Sequence, residues 1–92
     1  MALPYSLAGG TKTVATAGTA EKLVSSATPC KAVYIEALST NTNNVYWGDS
    51  DVDNTYPALG PYDWRVIAIQ DASLLYLDVD TDGEGVRYVI VV

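Results

Sequence analysis

From Thr11 onward no stretch of this sequence repeats its apolar residues at helical spacing; short β-prone runs alternate with polar turns instead. The runs are 12–16, 22–25, 32–38, 45–48, 64–69, 74–80 and 86–92, and turn-rich stretches at 17–19, 39–44, 49–61, 70–73 and 81–85 separate them. The one stretch that competes as a helix, 17–24, is interrupted by Gly18 and Thr19. Seven strands this short and this closely spaced predict an all-β fold, a small antiparallel β-sandwich or jelly-roll-like barrel.

Side-chain alternation assigns faces. Val33, Ile35 and Ala37 share one side of their run and Tyr34 and Glu36 the other, as in a sheet with one solvated face. The same split turns Leu75, Leu77 and Val79 inward and Tyr76, Asp78 and Asp80 outward. The last run differs: Val86, Tyr88, Ile90 and Val92 oppose Arg87, Val89 and Val91, so both sides are largely apolar and both want cover. A central position roofed by loops satisfies that, and so does a second subunit lying over Val89 and Val91.

The 92 residues suffice for one β domain, 11–92, preceded by an arm, 1–10, that carries Pro4, ends in Gly9-Gly10 and spaces Leu3, Tyr5 and Leu7 as possible grips. The alternative for these ten residues is a loose end or the lead-in to an edge strand. A domain of this size buries about two-thirds of its unfolded surface, so its core is thin and a partner would add burial.

The net charge of −6, from 5 basic and 11 acidic residues, repels a phosphate backbone and argues against direct nucleic-acid binding. No run approaches the length of a membrane span and the N-terminus lacks a basic, then apolar, leader, so a soluble protein made in the cytoplasm is expected. Cys30, the single cysteine, reads as a small buried apolar residue.

Catalytic chemistry finds no support. The chain has no His, which removes the commonest base for a serine or cysteine nucleophile, and it contains neither a G-x-S-x-G nor a phosphate-binding glycine motif. Paired carboxylates serve glycoside hydrolysis only across a cleft, for which a sandwich this small has little volume. A non-enzymatic protein without a cofactor is the expectation. Asp78, Asp80 and Asp82, followed by Gly83, have the spacing of a calcium loop, but position twelve is Val89 rather than Glu and the flanks are strands. The competing reading is a polar hairpin turn. Asp49, Asp51 and Asp53 form a second acidic cluster, read as a solvated loop. Tyr46, Trp47, Tyr56, Tyr62 and Trp64 flank that loop and suit either sugar stacking or an interface. Trp64 is expected in the core, with Val66 and Ala68 as strand-mates; Trp47 is left open between core and interface.

Tyr34-Ile35-Glu36-Ala37-Leu38-Ser39-Thr40-Asn41, then Val45-Tyr46-Trp47-Gly48-Asp49-Ser50-Asp51-Val52, Leu59-Gly60-Pro61 and Leu74-Leu75-Tyr76-Leu77 together resemble small β-structured virion proteins of tailed bacteriophages. The likeness covers about residues 11–92, with Gly60-Pro61 standing where the commoner order is Pro-Gly. It implies a decoration or cement protein on the capsid exterior that binds the major capsid protein, forms a homo-oligomer with a trimer favoured, and uses its arm as a clamp. Leu3, Tyr5, Leu7, Val89, Val91 and Trp47 are then the expected partner-binding residues. Two alternatives stay open: a receptor- or glycan-binding module of a fibre or tail, and a head-completion or connector protein.

Overall fold

The computed structural model describes residues 7–92. Its strands are β1 (Leu7–Thr13), β2 (Glu21–Lys22), β3 (Ala32–Ala37), β4 (Val45–Gly48), β5 (Ala58–Leu59), β6 (Trp64–Ile67), β7 (Tyr76–Val79) and β8 (Gly85–Val91), with one 3-10 turn, Ala72–Leu74, before β7. They form two antiparallel four-stranded sheets, β1-β8-β3-β6 (sheet A) and β2-β7-β4-β5 (sheet B). The pairs β1–β8, β2–β7, β3–β6 and β4–β5 are nested, as if a long hairpin were folded once at the 49–57 loop and rolled up. That order is the double Greek key of a jelly roll.

The alternation read from sequence builds the core. Val33, Ile35 and Ala37 of β3 and Val86 and Ile90 of β8 face Val45, Leu59, Leu77 and Val79 of sheet B, each no more than 3% exposed. Truncating a side chain so enclosed, such as Ile35 or Leu77, costs about 2–5 kcal/mol. Lys12 of β1 and Glu21 of β2 meet across the open side of the sandwich, Nζ to Oε1 at 2.8 Å.

Gly85 is required where β1 crosses β8, because a Cβ there would collide with the Lys12 carbonyl and the Thr13 Cα. Asn41 locks the same corner: its Nδ2 donates to the Gly85 carbonyl at 2.8 Å and its Oδ1 accepts from the Gly85 N–H at 3.3 Å.

Several expectations need correction. Among the described residues there are eight strands, not seven, because two-residue β5 lies inside the stretch read as a turn. Leu7, Gly9 and Gly10, placed in the arm, pair with Val91, Val89 and Tyr88 as the first half of β1. Gly10 is there for packing, since a Cβ would sit 2.6 Å from the Tyr88 hydroxyl oxygen. Leu3 and Tyr5 lie outside the described residues.

Asp78, expected outward, is 3% exposed. Trp64, expected in the core, is 54% exposed. Alternation shows which residues share a face of β6, but this edge strand turns Trp64 and Val66 to the same side as Glu36 and Tyr34, away from the core.

Candidate functional site

The strand registers line up the outward side chains of sheet A in three rows across β1, β8, β3 and β6. The first holds Leu7, Val91 and Ala32; the second Gly9, Val89, Tyr34 and Val66; the third Thr11, Arg87, Glu36 and Trp64. Two rows are apolar and the third carries one ion pair. Leu7 is 71%, Val66 61% and Trp64 54% exposed, and no other segment of the described chain lies over them. Strand rise and spacing give the face an area of roughly 400 Å², within the range of the largest exposed patch on a small protein.

Its side chains are ordered by one another. The Tyr34 and Trp64 rings lie 5.9 Å apart at 30°. The Tyr34 hydroxyl donates to Glu36 Oε2 at 3.0 Å, and Arg87 Nε sits 3.2 Å from Glu36 Oε1. Partial burial, then the Glu36 hydrogen bond, raises the Tyr34 pKa, so the hydroxyl stays protonated and donating at neutral pH. Val89 and Val91, read from sequence as in need of cover, lie on this outward face together with Tyr34, Trp64 and Val66, which sequence reasoning did not place there. The signal was the antiparallel register of the β6 edge against β3, which a single sequence does not reveal.

Sheet B has a different outer side. Loop 49–57 returns over it: the Tyr56 ring occupies the space where a Gly48 Cβ would be, and its hydroxyl donates to Asp49 Oδ1 at 2.8 Å. Asp53 and Asn54 share a recess of about 350 Å³ with Ala17, Gly18, Asp78, Val79 and Asp80. Beneath this cover Tyr46 is 7% exposed and its hydroxyl lies 2.9 Å from both Asp80 carboxylate oxygens.

Each carboxylate of the D-x-D-x-D run has its own hydrogen-bond partners. Asp78 Oδ1 accepts from the Gly18 and Val79 N–H groups at 2.9 and 2.8 Å, Asp80 holds Tyr46, and Asp82 Oδ1 accepts from the Ala17 N–H at 2.7 Å. The three carboxylates fasten neighbouring segments rather than converge on a point, and among the described residues no group of three or more His, Cys, Asp or Glu is placed to hold a metal.

The aromatics noted for sugar stacking are likewise dispersed. Tyr46 is buried, Tyr56 is packed on Gly48, and Trp47 pairs with Leu77 on the inner side of sheet B, where it packs on the core. Trp47 thus takes no part in the exposed face, and its Nε1–H is buried without a hydrogen-bond partner among the described residues. Tyr62 stays 70% exposed on a turn where its φ is +69°, a conformation that glycine adopts more easily. Cys30 is half-buried with Sγ 3.2 Å from the Ile69 carbonyl; burial, then Asp71, raises its pKa, which keeps the thiol protonated and unreactive.

Charge also divides the molecule. The strands of sheet A carry Lys12, Arg65 and Arg87 against Glu36, with Asp63 just before β6, whereas sheet B and the loops around it carry Lys22 against Glu21, Asp49, Asp51, Asp53, Asp71, Asp78, Asp80, Asp82 and Glu84. No family model, curated protein or solved structure matches the chain.

Proposed function

We propose that this chain is a non-enzymatic structural protein of a virion, a decoration or cement module on the capsid exterior that self-associates and binds the major capsid protein. The observation that carries the proposal is the bare outer face of sheet A, where Leu7, Val66 and Trp64 stand exposed beside Val89 and Val91. A chain that folds a loop over one sheet and leaves the other apolar has a surface suited to being covered by assembly.

Three further points support the reading. Jelly rolls recur in viral capsid domains, a likeness of fold that supports the function by analogy. The acidic side opposite the apolar face keeps a densely coated particle soluble. Leu7, the first of the described residues, stands in the outermost row of that face.

The test is occupancy on purified particles stripped of the protein. Val66→Asp places a charge in the middle row of the face, on its edge strand β6, without touching the core, and the proposal expects occupancy to fall at least tenfold. Occupancy equal to the unmodified protein would overturn it.

A further inference from the structure

We propose that the occupant of the outer face of sheet A is a second copy of this chain, packed face to face about a two-fold axis that runs along the strands between β8 and β3. The inference rests on the reading of that face as an assembly surface and adds the identity and geometry of the partner.

The row order makes the face complementary to itself. Rotation about such an axis reverses the strand order, so β1 of one copy opposes β6 of the other and β8 opposes β3. Val66, which protrudes, then meets Gly9, which has no side chain; Trp64 meets the small Thr11; Val89 meets Tyr34; and Val91 meets Ala32. Large exposed groups enter the gaps left by small ones, which is how two sheets pack at about 10 Å.

Charge selects the same axis. Arg87 of each copy opposes Glu36 of the other, so the ion pair within each chain, 3.2 Å long, becomes a four-charge cluster of alternating sign. A two-fold axis perpendicular to the strands would set the Arg87–Glu36 row against Leu7, Val91 and Ala32, burying charges against apolar side chains. Elsewhere two chains of net charge −6 repel, and this face is where an apolar surface and a balanced charge pair coincide.

Area sets the strength. Roughly 400 Å² per copy is half of the about 800 Å² per partner of a standard stable interface, so the isolated pair is weak and concentration-dependent. On a particle that holds copies side by side, effective concentration compensates.

The experiment is sedimentation equilibrium from micromolar to millimolar on the unmodified protein, Val66→Asp, Arg87→Glu, Glu36→Arg and an equimolar mixture of the last two, with circular dichroism confirming that each is folded. The unmodified protein should approach a dimer mass and Val66→Asp should stay monomeric. Each charge variant alone should associate at least tenfold more weakly, since its face is wholly acidic or wholly basic, and the mixture should recover association because the two faces are now opposites. Recovery in the mixture requires contact between chains, which a repaired ion pair within one chain does not produce. A monomer at millimolar concentration, a trimer limit, or a mixture no stronger than its components would each overturn the inference. If the unmodified protein is monomeric and Val66→Asp still loses particle occupancy, the second copy is excluded and the assembly reading stands. If Val66→Asp abolishes the dimer and leaves occupancy unchanged, the pairing stands and the particle-binding role of the face falls.

Discussion

On sheet B the outward Tyr46 is 7% exposed beneath a returning loop and anchored to Asp80, whereas on sheet A the outward Trp64 and Val66 are 54% and 61% exposed. The inward faces of both sheets are aliphatic, built mainly from Val, Ile and Ala on sheet A and from Val and Leu on sheet B. The difference therefore lies in connection length and polar anchoring: the loop joining β4 to β5 is long enough to fold back, and carboxylates tie the segments around it. Sheet B is finished within the chain. The outer face of sheet A has no such cover among the described residues.

The largest effect on this contrast is expected from Asp78→Ala. It leaves the Gly18 N–H without its acceptor beneath the cover of sheet B, a loss of about 2 kcal/mol seen as a lower urea midpoint. Gly48→Ala forces the Tyr56 ring away, at a cost of about 1–2 kcal/mol, and should raise proteolytic cleavage within 49–57. A cleavage rate unchanged by Gly48→Ala would contradict the loop's place over sheet B.

Acid sharpens the same point. Burial raises the Glu84 pKa, but hydrogen bonds from the Thr42 N–H and hydroxyl and the Asn43 N–H outweigh it and hold the carboxyl low. The ion pair with Lys12 and the Ala15 N–H lower Glu21, and the Thr28 and Ser73 N–H groups lower Asp71. A carboxyl whose folded pKa is depressed stabilises the fold above its unfolded value and loses that contribution as pH falls through the folded value. The urea midpoint should thus hold at neutral pH and drop below about pH 4, with Glu84→Gln flattening part of the drop. By contrast Val66→Asp, on the bare face, should change stability by no more than about 0.5 kcal/mol while abolishing association.

The sequence carried the periodicity and therefore the β class, the inward set of β3 and the two-sided character of β8. Val89 and Val91 were legible as residues in need of cover. Strand order was not, because nesting β1 with β8 depends on contacts far apart in the chain. Trp64 was misplaced for that reason: its alternation is clear, but which side faces the core is decided by the pairing of β6 with β3. Asp78 was misplaced for another, since a carboxylate at an outward position reads as solvated until Gly18, 60 residues away, supplies an N–H that buries it. Gly9 and Gly10 read as the end of an arm, and Gly10 is instead the floor beneath the Tyr88 ring.

The chain has two tryptophans, and only Trp64 is on the bare face, so its fluorescence tests the central claim most directly. Trp47→Phe isolates it and removes a buried Nε1–H that has no partner among the described residues, which makes the replacement mild. In that background the account predicts that Trp64 emission shifts to the blue and resists acrylamide quenching as concentration rises from micromolar to millimolar, in step with the gain in mass. Emission that stays solvent-like while mass increases would show that the chain associates through another surface and that the outer face of sheet A remains uncovered.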